Sequence, residues 1–124
     1  MIRSAAPALR LFLRLELGPE IAIGPGKADL LAGIAETGSI AAAARRMGMS
    51  YKRAWLLVEA MNGFFREPLV IAARGGRGAG GARLTPEGET VLEAYRALQR
   101  TAEAAAAPHA RAIARLARPP KGRP

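Results

Sequence analysis

Two groups of cations in this chain stand where positive charge can meet a polyanion from two directions. Lys52 and Arg53 follow directly on Ser50-Tyr51, while Arg74, Arg77 and Arg83 punctuate the glycine run Arg74-Gly75-Gly76-Arg77-Gly78-Ala79-Gly80-Gly81-Ala82-Arg83-Leu84-Thr85. An arginine fork matches paired acceptors, whether two phosphate oxygens or the edge of a guanine. Residues 39–85 carry eight Lys/Arg against Glu59 and Glu67, whereas residues 86–107 carry Arg96 and Arg100 against Glu87, Glu89, Glu93 and Glu103. The formal net charge of +9 is thus segregated. A basic patch beside a mildly acidic stretch points to a nucleic-acid partner for the patch and another task for the stretch. A merely soluble basic protein would explain the total but not the placement.

The same residue inventory argues against other chemistry. His109 is the only histidine and there is no cysteine, so metal ligation, disulfides and thiolate chemistry have no equipment. The serines have no histidine nearby in sequence and no paired carboxylates lie on the basic face, so no enzyme is expected. Gly76-Arg77-Gly78-Ala79-Gly80-Gly81 formally matches a dinucleotide fingerprint. That motif needs a helix directly after the glycines, and here Leu84 intervenes before a helix starts at Thr85. No cofactor is expected. No apolar run approaches the roughly 18 residues of a membrane span. Arg3, Arg10 and Arg14 interrupt the leucines that a signal peptide would keep continuous, so the expectation is a cytoplasmic, nucleoid-associated protein with no membrane partner.

The elements that must position the cations are marked by caps and breakers. Residues 1–8 are expected to be a disordered lead. Leu9, Leu11, Leu13, Leu15 and Leu17 alternate with Arg10, Phe12, Arg14 and Glu16, which predicts a strand with one leucine face inward. Gly18-Pro19 and Gly24-Pro25-Gly26 break the chain. A helix is expected from about Lys27 to Thr37, with Leu30, Leu31, Ile34 and Ala35 as its apolar stripe and Gly38 as its stop. Ser39 then caps an alanine-rich helix, Gly48 supplies the left-handed turn, and Ser50 caps the next helix. Leu69–Ala73 and Arg83-Leu84 read as a short hairpin with the glycines as its loop. Thr85-Pro86-Glu87 starts a helix whose apolar positions recur to about Ala107, where Pro108 is expected to end it. Five cations without an acid (Arg111, Arg115, Arg118, Lys121, Arg123) make 108–124 a basic tail, expected to be disordered.

At about 100° per residue, Ala54, Leu57, Val58, Met61 and Phe65 share one face of the Ser50 helix. Lys52, Leu56, Glu59 and Gly63 lie opposite, Arg53 to one side, and Trp55 and Asn62 at the other margin. Lys52 and Arg53 are therefore expected to point outward, onto guanine edges or phosphates, or else simply into solvent. Tyr51 is placed to reach a phosphate or to pack on the preceding helix. Trp55 reads as partly core, with a thymine-methyl or sugar contact as the alternative. Arg45 and Arg46 are expected at phosphate or solvent, not at bases. Ser39, Arg45, Arg46, Ser50, Tyr51, Lys52, Arg53, Trp55, Arg74, Arg77 and Arg83 make up the expected DNA-facing set.

Several segments together resemble a known family. Gly38-Ser39-Ile40, Ser50-Tyr51-Lys52 with Ala54-Trp55, Glu59-Ala60-Met61-Asn62, and Gly75-Gly76-Arg77-Gly78 with Gly80-Gly81-Ala82 and Leu84-Thr85 are similar to the N-terminal DNA-binding domain of the molybdate-responsive ModE family. That domain is itself similar to the winged helix of LysR-type regulators. The resemblance covers about residues 26–106 and implies an α+β, mostly α fold: a winged helix-turn-helix with a long C-terminal dimerisation helix. It also implies a homodimer on double-stranded DNA, with the Ser50 helix reading the sequence and the wing on the backbone. No molybdate site is carried over to any residue here. Leu56 stands where the family often has a polar residue.

One DNA-binding domain over residues 9–107 is expected, with Val91, Leu92, Tyr95, Leu98 and Ala102 of helix 86–107 at a dimer interface. The helix stripe is longer than one small core covers, and a second copy is the usual solution. The competing account is that the helix folds back onto the first strand. Two function classes follow: a sequence-specific transcriptional regulator acting as a homodimer, or an architectural or adaptor module that binds DNA loosely and recruits a partner protein. A separate effector-binding or transcription partner is left unassigned.

Overall fold

The computed structural model describes residues 10–75 and 78–118. The expected lead at 1–8, Arg77 and the last residues of the basic tail lie outside the described residues. The chain runs β1 (Leu15–Leu17), β2 (Ile21–Ile23), α1 (Pro25–Thr37), α2 (Ile40–Met47), α3 (Tyr51–Phe64), β3 (Val70–Gly75), β4 (Gly78–Leu84) and α4 (Pro86–Ala114). Two separate antiparallel hairpins, β1–β2 and β3–β4, flank the helices. The fold is mostly helical, a winged helix-turn-helix of the expected α+β class.

The core is aliphatic, as the 5% aromatic content requires. Leu30, Leu31 and Ile34 of α1, Met61 of α3 and Leu69 are its largest fully buried side chains. Ala43 and Ala44 of α2 and Ala54 of α3 are buried in the same cluster. Alanine at these sites lets the helices approach closely.

Local signals account for the helix boundaries. Ser39 Oγ accepts from Ala42 N at 3.0 Å and Ser50 Oγ from Arg53 N at 3.1 Å. Each hydroxyl satisfies one of the N–H groups that a first helical turn leaves free. Gly48, at φ 71°, donates its N–H to Ala44 and Arg45 carbonyls and turns the chain between α2 and α3. Thr85 Oγ1 accepts from Gly88 N at 2.9 Å and donates to the Pro68 carbonyl at 2.7 Å, so the α4 cap is also tied to the root of β3. A Cβ at Gly88 would lie 2.2 Å from the Leu69 carbonyl oxygen, so this close approach of α4 to the wing root requires glycine.

Three sequence expectations need correction. The leucine alternation from Leu9 forms a strand only at Leu15–Leu17, and that strand is exposed. Its partner is the three-residue β2, not legible between two Gly-Pro breaks, so the sheet has only three paired positions. Leu15 and Leu17 stay 39% and 52% exposed; their side does not close on the protomer's own core. The glycines after Ala73 extend the wing strands, with Ala72 opposite Ala82, Ala73 opposite Gly81 and Gly75 opposite Gly78, rather than forming one long loop. Finally, α4 does not end at Pro108 but runs through it to Ala114. Proline there lacks the N–H that would bond to Ala104, and Ala104 is exposed to water that can take that carbonyl. The alanines on both sides are the best helix formers and carry the helix on. At 1.5 Å per residue its 29 residues span about 43 Å.

Candidate nucleic-acid interface

Helix α3 is anchored by Ala54, Val58 and Met61, all buried, with Leu57 partly buried against the same core. This fixes the opposite side outward, as the spacing predicts. Lys52, Arg53, Leu56 and Glu59 are exposed. Tyr51 and Trp55 are 54% and 42% exposed, so more than half of the tryptophan is covered and the rest is open to solvent. The two aromatics, one helical turn apart, line a groove of about 530 Å3 between Ile40 and Ala41 of α2 and Ile71 and Gly81 of the wing. Ser50, Lys52, Arg53 and Leu56 surround a shallower recess of about 270 Å3 on the neighbouring side of α3.

The wing is held against this helix by polar contacts to its backbone. Asn62 Oδ1 accepts from Leu69 N at 2.8 Å and Val70 N at 3.1 Å, and its Nδ2 donates to the Val70 carbonyl at 3.0 Å. Ala82 N donates to the Gly38 carbonyl at 2.9 Å, and Ser39 forms a bridge with Gly81. Both strands of the wing are therefore tied to the helix-turn-helix, one through α3 and one through the turn before α2. Sequence reasoning placed Asn62 only at the margin of α3. Its role depends on a contact seven to eight residues away, which no periodicity reveals.

The expected DNA-facing residues are not equivalent in their surroundings. Lys52, Arg53, Tyr51 and Trp55 share the outward half of α3. Arg83 is exposed on β4. Arg45 and Arg46 are exposed in the last turn of α2, where cations also complement the helix C-terminus. Arg46 is paired with Glu36 of α1, so part of its charge is already answered. Ser39 and Ser50 accept backbone N–H groups, which leaves each hydroxyl proton to donate. The side chain of Arg74 and the whole of Arg77 lie outside the described residues.

The α4 residues expected at a dimer interface divide into two groups. Tyr95 is 3% exposed, sits in the core and donates its hydroxyl to the Leu13 carbonyl at 2.6 Å. Burial pushes its phenol above the usual tyrosine value, against the opposing effect of the Arg96 guanidinium. Val91 and Leu92 are partly buried against the core. Leu98, 37% exposed, and the half-buried Ala102 remain available. Leu98, Val91 and Ala94 border an apolar recess of about 180 Å3 with Leu15, Leu17 and Phe65. The helix thus does pack on the N-terminal segment, and still leaves apolar surface beyond it.

Residues 27–89 match the family of bacterial regulatory helix-turn-helix proteins, lysR family. The chain belongs to that family. This LysR-type stretch contains all but the first two residues of α1, the helix-turn-helix, the wing and the start of α4. The chain is 52% identical over 77 residues to the molybdenum-pterin-binding protein MopB of Rhodobacter capsulatus, covering 62% of this chain and 28% of MopB. It is 38% identical over 94 residues to the molybdenum transport protein ModE of Azotobacter vinelandii, covering 74% of this chain and 35% of that protein. The chain therefore spans about a third of the length of the curated relatives it matches. Among solved structures, it superposes on the CbnR_DBD–DNA complex with a TM-score of 0.56 and 25% identity, over 71% of this chain and 95% of that one. The resemblance drawn from Ser-Tyr-Lys-x-Ala-Trp and the glycine wing is thereby shown, and so is the winged-helix fold.

Proposed function

We propose that this chain is the DNA-binding part of a sequence-specific transcriptional regulator that acts as a homodimer. The observation that carries the reading is the outward half of α3. Four residues able to contact nucleic acid (Tyr51, Lys52, Arg53 and Trp55) are exposed there, on a helix anchored from behind and fixed to a basic wing. Lys52 and Arg53 enter the major groove and meet guanine edges; Tyr51, Trp55, Ser39 and Ser50 contact sugar, methyl or phosphate groups. Arg74, Arg77 and Arg83 of the wing and Arg45 and Arg46 of α2 meet phosphates. Membership of the family of bacterial regulatory helix-turn-helix proteins and the superposition on a protein–DNA complex support this reading. A regulator of this kind works in the cytoplasm, on the nucleoid; among the described residues no helix is long and apolar enough to cross a membrane.

Dimerisation is supported by apolar surface that one protomer leaves open. Leu15, Leu17 and Leu98 face a recess that no side chain of the described residues fills, and α4 continues for four turns past Leu98. A two-fold partner would cover this surface and set two α3 helices about one DNA turn apart, roughly 34 Å, or a multiple of it, on a pseudo-palindromic site. No residue is assigned to molybdate or another effector.

Hydroxyl-radical footprinting on a sequence enriched from random duplexes tests the reading. Two protected patches related by two-fold symmetry and spaced by a whole number of turns are expected. One isolated patch would remove the dimer, and enrichment of no sequence would reduce the chain to a loose architectural binder.

A further inference from the structure

We infer that Leu56 reads a thymine methyl group in the major groove and is a specificity-determining residue of α3. The inference rests on the reading of α3 as the helix that enters DNA.

Leu56 is 51% exposed although its neighbours Leu57 and Val58 turn to the core. Its position follows from the anchoring of α3: it lies one helical turn beyond Lys52 and three residues beyond Arg53. With Ser50, Lys52 and Arg53 it borders a shallow recess on the outer side of the helix. A helix whose first turn delivers Lys52 and Arg53 to the groove must bring its second turn, and Leu56, close to the base edges. Leucine has no donor or acceptor, so phosphates and the polar edges of guanine, cytosine and adenine offer it nothing. The C5-methyl of thymine is the one apolar group presented on the floor of the major groove. Pairing the two removes apolar surface of both from water. The flanking cations hold the position by their phosphate or guanine contacts, so this small apolar contact acts as selection rather than as the main source of affinity. Leu57 borders the same recess, so its floor is apolar, and it is the exposed cations Lys52 and Arg53 at its rim that suit DNA better than an apolar protein surface.

The test replaces each thymine of an enriched duplex, one at a time, by deoxyuridine, which removes only the methyl group. Binding of the full chain and of Leu56→Ala is then measured on each duplex. Alanine favours helix, so the variant is expected to keep the wild-type melting curve. The wild type should lose about three- to five-fold in affinity at one thymine per half-site, the worth of one buried methyl. Leu56→Ala should bind the thymine duplex that much more weakly and be indifferent to the exchange there. A wild-type scan with no methyl-sensitive position overturns the inference without any variant. Equal methyl sensitivity in Leu56→Ala overturns it too and moves the contact to another residue, such as Trp55. Enrichment of no sequence would sink the reading of α3 itself; enrichment followed by an insensitive scan would sink Leu56 alone.

Discussion

Asn62 holds Val70 by both of its backbone polar groups: Oδ1 accepts the N–H at 3.1 Å and Nδ2 donates to the carbonyl at 3.0 Å. The last turn of α3 thus does the work of a neighbouring strand for the first residues of the wing and ties the wing to that helix. Asn62→Ala leaves Leu69 N, Val70 N and the Val70 carbonyl without that partner. An expected loss of about 2–3 kcal/mol follows from the penalty for unpaired groups in a partly buried site. Chemical denaturation would measure it, and a loss below about 0.5 kcal/mol would show that water replaces the side chain.

A second polar contact ties the ends of the domain together. Tyr95→Phe keeps the buried ring but deprives the Leu13 carbonyl of its donor, and should cost about 1 kcal/mol. Because burial raises the folded-state pKa of Tyr95, the unfolded chain gives up its proton first as pH rises. The stability linked to this group is therefore whole below about pH 10 and is lost as pH climbs from there toward the raised folded value. Melting curves between pH 8 and 11 should fall more steeply for the wild type than for Tyr95→Phe; parallel curves would contradict the assignment.

The wing should add affinity without adding sequence information. Arg83→Ala, and likewise Arg77→Ala, should weaken binding to enriched and random duplexes by the same factor and lower the salt slope by about one for each lost phosphate contact. An unchanged slope for both variants would take the wing off DNA.

Oligomeric state bears on the apolar recess beside α4. The wild type is expected to sediment as a dimer at micromolar concentration, and Leu98→Glu, which sets a carboxylate at the edge of that recess, as a monomer with its fold retained. A monomeric wild type would remove both the dimer and the palindromic site.

Much of this arrangement is legible in sequence because short-range chemistry governs it. Ser39, Gly48, Ser50 and Thr85-Pro86 mark helix boundaries through contacts within three or four residues, and the burial of Ala54, Val58 and Met61 follows from helical period alone. What was not legible depends on partners distant in sequence. The leucine alternation from Leu9 has a strand's period, but strand length depends on the partner, and β2 offers three residues. Tyr95 has the spacing of an interface residue and belongs to the core because Leu13, 82 residues earlier, takes its hydroxyl. Pro108 has the local character of a stop, and the exposed alanine helix around it tolerates the lost bond.

The central claim is that the first turns of α3 read DNA sequence. The most direct measurement is the ratio of affinities for an enriched duplex and a random one, taken across a series of salt concentrations for the wild type and Arg53→Ala. The account predicts a wild-type preference that persists as salt rises. In Arg53→Ala, affinity for the enriched duplex should drop by about 1–3 kcal/mol, the worth of a bidentate base contact, with much of the preference lost. An Arg53→Ala protein that keeps the full wild-type preference, or a wild type that shows none, would contradict it.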